Sequence, residues 1–124
     1  MKEIIKKEEF YKIIGLCMEV HKILGKGFLE IVYKDALEFE FKKNKIPYER
    51  EKEFKIEYKT IILPHKFFAD FVVYDNIILE VKAVNGLVED IVKMVLNYMA
   101  AAKARLGILT NFGSSSLQFK NVVL

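Results

Sequence analysis

The fold of this chain is decided by residues 67–82, which read FFADFVVYDNIILEVK. Both halves of this stretch are rich in β-branched and aromatic residues, which favour strands, and Asp75-Asn76 between them is typical of a turn. We therefore predict two neighbouring strands, Lys66–Tyr74 and Ile77–Val84, joined as a hairpin.

Charged residues interrupt both predicted strands. Asp70 lies in the middle of the first strand, where a buried carboxylate is costly unless it is paired or bound to a metal. In the second strand Glu80 and Lys82 share one face, because side chains alternate along a strand. One interpretation is a buried ion pair between Lys82 and a carboxylate. The other, which the clustering favours, is a negative pocket that a divalent cation such as Mg²⁺ or Mn²⁺ would complete.

The turn between these strands determines whether such a pocket forms. A plain two-residue loop at Asp75-Asn76 would pair Asp70 with Val81 and send Asp70 and Glu80 to opposite faces. A three-residue loop, for instance Tyr74-Asp75-Asn76 with Asn76 in the left-handed region, would pair Asp70 with Glu80 instead. A bulge elsewhere in the ladder could restore the same parity. The metal site therefore requires an irregular hairpin.

The remaining elements follow from hydrophobic periodicity. Before the hairpin we predict helices over Phe10–Leu24 and Leu29–Phe41 and a strand over Glu49–Tyr58. After it we predict a helix over Leu87–Ala102, which includes Val88, and strands over Leu106–Thr110 and Leu117–Val123. The order is ααβββαββ, with the first three strands in a meander.

Size and composition indicate one domain over residues 1–124. The chain is 52% hydrophobic, which is enough for one core. Its apolar stretches are too short to span a membrane, no signal-peptide pattern opens the sequence, and a single cysteine excludes a disulfide framework. We therefore expect a cytoplasmic protein without a membrane partner. The net charge of +3 permits a nucleic-acid partner without requiring one.

The second predicted helix carries a further carboxylate. On a helical wheel Glu30 falls between Leu37 and Phe41, one turn from Tyr33, and away from the solvated face that carries Lys34. Glu30 is either directed toward the sheet or a boundary glutamate that covers the helix edge, and helical position alone does not separate the two.

Residues 27–33, GFLEIVY, match the spacing that gives the GxxExxY family its name. Later features of that family are resembled, in order, by Ala69-Asp70, Glu80-Val81-Lys82-Ala83-Val84, Leu96-Asn97-Tyr98 and Asn111-Phe112-Gly113. The family is similar to the PD-(D/E)XK nuclease superfamily. This resemblance implies an α/β fold with an αβββαβ core, an extra N-terminal helix, a C-terminal strand, and a mixed central sheet flanked by helices.

The same resemblance implies roles for individual residues. Asp70 and Glu80 would hold Mg²⁺ or Mn²⁺ together with the carbonyl of Val81, and Lys82 would steer or activate the attacking water. Glu30 would be the acidic residue carried by the helix. Tyr33, the last residue of the family motif, would support it. The implied activity is that of a metal-dependent nuclease or related phosphodiesterase acting on DNA or RNA.

Two departures from the family pattern support an alternative function. Phe68 stands where family members often have a basic residue, and Met94 lies on a helix face that is often polar in the family. The alternative is therefore a nuclease-fold module that binds nucleic acid or protein without turnover. A homodimer would be one way to span a duplex.

Overall fold

The computed structural model describes residues 6–87 and 89–124, so residues 1–5 and the predicted helical residue Val88 lie outside the described part. The helices are α1 (Lys7–Leu24), α2 (Glu30–Lys43) and α3 (Glu89–Ala102). The strands are β1 (Tyr48–Phe54), β2 (Glu57–Tyr58), β3 (Ile61–Ile62), β4 (Phe67–Val73), β5 (Ile77–Lys82), β6 (Leu106–Asn111) and β7 (Gln118–Val123). This arrangement confirms the α/β class.

The central sheet has five strands in the order β1-β4-β5-β6-β7. Its neighbours are antiparallel except β5 and β6, which are parallel and are connected through α3. The sheet is therefore mixed, as expected, and β1, β4 and β5 form the predicted meander.

One predicted strand is divided in two. The strand expected over Glu49–Tyr58 ends at Phe54, and Glu57–Tyr58 instead pairs with Ile61–Ile62 in a separate small hairpin. Lys59 takes a positive φ of 55° at its tip. The expected continuous strand is wrong, because the turn at Lys59 folds Ile61–Ile62 back onto Glu57–Tyr58 and the two segments pair with each other.

Helices cover both faces of the sheet. One group of buried side chains joins α1 and α2 to one face and includes Tyr33, Phe41, Phe71 and Leu79. A second group joins α3 to the opposite face and includes Val72 and Met99. In the part of the chain that the structure describes, no helix combines the length and apolar character needed to cross a bilayer.

The turn between β4 and β5 fixes the register of the hairpin. Tyr74, Asp75 and Asn76 form a three-residue loop, as the metal-site hypothesis required, and Val73 pairs with Ile77. The left-handed residues are Tyr74 (φ 51°) and Asp75 (φ 71°), so the expectation that Asn76 takes this conformation is wrong. The backbone N–H of Tyr74 donates to the carbonyl of Pro47 at 2.9 Å, which anchors the loop to the start of β1.

Gly113 and Gly15 differ in how much space surrounds them, and the difference can be tested by stability measurements. A Cβ at Gly113 would meet the backbone of Val84 and lie 2.8 Å from the carbonyl carbon of Ala83, whereas a Cβ at Gly15 on α1 would meet nothing within 4 Å. We expect Gly113→Ala to lower the free energy of unfolding by about 1–3 kcal/mol through overpacking. Gly15→Ala should raise it by about 0.5–1 kcal/mol, because alanine is the better helix former. Urea unfolding of both variants measures the difference, and equal effects would contradict it.

Candidate active site

The backbone ladder between β4 and β5 ends where two carboxylates face each other. The last backbone pair is Phe71 with Leu79, and the same register places Asp70 opposite Glu80. There the N–H of Val81 donates to Oδ2 of Asp70 at 2.8 Å, and the N–H of Asp70 donates to Oε1 of Glu80 at 3.3 Å. The two carboxylates thus replace the backbone bonds at the point where the strands diverge.

The side chains of β4 also stop alternating regularly between the two faces of the sheet at this point. Phe67 stacks on Tyr98 of α3 at 4.1 Å between ring centroids, whereas Phe71 packs against Phe41 of α2 at 5.3 Å. Strict alternation would place residues 67 and 71 on one face of the sheet. The irregularity therefore lies at Asp70, between them, and it allows the Asp70 carboxylate to be contacted from both α2 and β5.

Glu80 is the most buried charged residue of the site. It is 3% exposed. Burial, the charge of Asp70 and a hydrogen bond with the Asp70 side chain raise the pKa of Glu80 to about 8. Oε1 of Glu80 lies 3.3 Å from the backbone nitrogen of Asp70, so both acidic residues reach the same gap between the strands, as the metal hypothesis requires.

Lys82 lies near this pair without contacting it. Its charge acts to lower the pKa of Glu80, yet within residues 6–87 and 89–124 it forms no side-chain hydrogen bond or salt bridge. The alternative interpretation, a buried ion pair between Lys82 and a carboxylate, is therefore wrong. Lys82 is partly exposed at the end of β5 and keeps its ammonium available.

The cation that does pair with Asp70 is Lys34. Its Nζ donates to Oδ1 of Asp70 at 2.9 Å and also to Glu51 on β1. The side chain of Lys34 is only 12% exposed, so the sequence-based placement on the solvated face is wrong. The sequence offered one indication that Lys34 is buried: it directly follows Tyr33, at the edge of the apolar stripe of α2. That indication becomes useful only when the strands that pack against α2 are known.

Glu30 and Tyr33, to which the sequence resemblance assigns roles, lie in the first turn of α2. Glu30 is its first residue and is half-buried, one turn before Lys34. Tyr33 is fully buried, and its hydroxyl donates to the carbonyl of Gly25 at 2.7 Å and accepts from the N–H of Phe28 at 3.2 Å. Tyr33 therefore fixes the α1–α2 loop that leads into Glu30.

The donor set at Asp70 and Glu80 fits a hard divalent cation in chemical type. Both side chains supply oxygen, and their mutual repulsion is relieved by positive charge. Among the residues that the structure describes, no three His, Cys, Asp or Glu side chains form a group able to hold a metal, so Glu30 does not join them in such a group. Mg²⁺ commonly keeps several waters and uses one or two carboxylates, so the pair remains compatible with that ion.

An open cleft of about 520 Å³ adjoins the end of β5. Its walls are residues 26–29 of the α1–α2 loop, residues 83–85 and Gly113. The Asn111 side chain holds one wall: its Oδ1 accepts from the N–H of Val84 at 2.9 Å, and its Nδ2 donates to the Val84 carbonyl at 3.0 Å. The cleft thus begins one residue beyond Lys82.

Comparison with known proteins identifies a family and related solved structures. The model of the PD-(D/E)XK nuclease superfamily matches residues 7–122. Among solved structures, the chain is similar to the crystal structure of SSO0001, with 20% sequence identity, a TM-score of 0.61 and coverage of 76% of this chain. The chain spans 50% of the length of that protein, and the likeness supports the fold alone. No curated protein matches the chain.

The raised pKa of Glu80 predicts a pH-dependent stability without metal. The folded state keeps a proton that the unfolded state releases between the ordinary pKa of 4.5 and about 8, so this contribution to stability falls as pH rises through that window. Glu80→Gln, which is neutral throughout, should lack this decline. Urea unfolding in EDTA from about pH 5 to about pH 8.5 measures it for both proteins. Identical pH profiles would exclude the burial of an ionisable Glu80.

Proposed function

Because the chain belongs to the PD-(D/E)XK nuclease superfamily, we propose that it is a nuclease that uses Mg²⁺ or Mn²⁺ to cleave phosphodiester bonds in DNA or RNA. The observation that carries this proposal is the in-register placement of Asp70 and Glu80 where β4 and β5 separate, with Lys82 on the same strand. Paired acids with an adjacent lysine supply the groups needed for phosphodiester hydrolysis.

Asp70, Glu80 and the carbonyl of Val81 would hold the cation. A bound divalent ion offsets charge on the scissile phosphate and lowers the pKa of a coordinated water. Asp70 is suited to the ligand role because its carboxylate is fixed by the N–H of Val81. Glu80 is buried, so the surrounding atoms restrict the position of its carboxyl group.

Lys82 would orient the attacking water or stabilise developing negative charge. Its ammonium is near Glu80 yet unpaired by any described side chain, so it remains free to donate to a water or a phosphate oxygen. Glu30 would act as the helix-borne acid, positioned by the loop that Tyr33 ties to Gly25. These assignments follow from the family resemblance and the placement of each residue.

The adjoining cleft is a candidate path for the nucleic acid. Phe28 is 46% exposed at its edge and Lys26 is also exposed, which combines a stacking surface with a positive charge. We further propose a cytoplasmic location, and a homodimer would be one way to cover both strands of a duplex.

A second candidate function is nucleic-acid or protein binding without turnover. It is favoured by Phe68, which is 52% exposed on β4 and stands where members of the family that the sequence resembles often have a basic residue. Under this alternative the fold and the binding surface remain, and cleavage is absent with either metal.

Removal of Asp70 tests the metal ligands. A ligand that binds only the folded state raises stability, so Mg²⁺ should increase the melting temperature of the wild-type protein and should not do so for Asp70→Ala. Asp35→Ala, which removes the same charge from a side chain that is 67% exposed, is the matched control and should keep the shift. A shift of wild-type size in Asp70→Ala would place the ion elsewhere.

Removal of Lys82 separates cleavage from metal binding. Lys82→Ala should keep the metal-induced melting shift and lose roughly 10²-fold in cleavage rate on plasmid or single-stranded substrates. Lys93→Ala, from a side chain that is 64% exposed on α3, should cleave like the wild type. If the wild-type protein cleaves neither DNA nor RNA with either metal, the binding-module alternative replaces the nuclease.

A further inference from the structure

Lys34 bridges two carboxylates at the candidate metal site. Its ammonium donates to Asp70 at 2.9 Å and to Glu51, and the side chain is largely shielded from water. Burial alone would lower the pKa of Lys34, but the hydrogen bonds and charges of Glu51 and Asp70 outweigh it and raise the pKa. Lys34 is therefore a fixed positive charge at the site.

We propose that Lys34 is a built-in competitor of the divalent cation: it neutralises Asp70 in the metal-free protein and thereby sets the metal affinity of the site. This inference rests on the proposed metal site at Asp70 and Glu80. It adds a positioning residue that acts on the metal through Asp70, without contact with the substrate.

Lys34 and a metal ion would compete because both carboxylate oxygens of Asp70 already accept hydrogen bonds. One carboxylate oxygen, Oδ1, accepts from the ammonium of Lys34, and the other, Oδ2, accepts from the N–H of Val81. A cation that approaches Asp70 either displaces the ammonium or lies within a few ångströms of it. Both cases weaken metal binding, because like charges at that separation repel strongly in a partly buried site.

Glu51 provides a position for Lys34 when Asp70 is taken by a metal. It lies opposite Asp70 in the β1–β4 register, between the pairs Arg50 with Phe71 and Lys52 with Ala69. Its backbone has a φ of 54°, which is uncommon for a glutamate within a strand. The carboxylate of Glu51 contacts the ammonium of Lys34. Lys34 therefore keeps one carboxylate partner after it releases Asp70.

A purely structural role for Lys34 makes a different prediction. If the ion pair only fastened α2 to the sheet, its loss would reduce stability and would leave the metal affinity of the folded protein unchanged. The two roles are therefore separated by a direct measurement of metal binding.

The experiment is calorimetric titration of the full 124-residue chain with Mn²⁺ alone. We expect Lys34→Met to bind Mn²⁺ about tenfold more tightly than the wild type or better, since a nearby positive charge is removed. Lys42→Met removes an exposed lysine two turns along the same helix and should keep the wild-type Kd. The double variant Lys34→Met/Glu51→Gln removes both charges, which protects against unfolding by carboxylate repulsion, and should also bind more tightly than the wild type.

Glu51→Gln completes a double-mutant cycle. Alone, it leaves Lys34 with Asp70 as its carboxylate partner and should weaken Mn²⁺ binding, whereas in the Lys34→Met background it should have little effect.

A Kd that is unchanged or weaker in Lys34→Met and in the double variant, while the wild type binds and Asp70→Ala does not, overturns the role of Lys34 alone. Absence of binding in the wild type and in both Lys34 variants overturns the metal site and this inference together. Binding that appears only once Lys34 is replaced supports the inference.

Discussion

Two acidic side chains in one gap between two strands are the constraint on which the rest of this structure depends. Asp70 and Glu80 stand opposite each other where β4 and β5 separate, and their oxygens take backbone N–H groups that the ladder no longer pairs. Burial of two like charges is unfavourable unless positive charge or protons offset them. Lys34 supplies the charge at Asp70, and the raised pKa of Glu80 supplies the proton.

The surrounding layers hold this arrangement in place. Tyr33 and Phe41 of α2 are fully buried against the sheet, which fixes the helix that carries Lys34 above Asp70. On the other side of β5, the parallel pairing with β6 continues through Lys82 opposite Asn111. The strand that bears Glu80 and Lys82 is thus supported on one edge by regular pairing, while its other edge is free to diverge.

Much of the fold was predictable because it rests on local patterns. The helical stripes of α1 and α2, the strand pair around Asp75, and the strand at Leu106 follow from spacing and residue type. The predicted order matches the helices and the five strands of the main sheet, but it lacks the separate hairpin of β2 and β3. The division of the Glu49–Tyr58 segment was not predicted, because residue type favours a strand throughout it and the pairing of Glu57–Tyr58 with Ile61–Ile62 is a tertiary feature.

The sequence by itself determined which residues carry chemistry: the charges at Asp70, Glu80 and Lys82 stand out because strands rich in apolar residues rarely contain them. Whether the two acids meet depended on one residue in the loop length, which only the turn at Tyr74–Asn76 decided. The pairing of Asp70 with Lys34 and Glu51 was likewise decided by tertiary structure. A helical wheel places Lys34 with the solvated residues, because it does not include the way the helix lies across the sheet, and that packing brings Lys34 to Asp70 and Glu51.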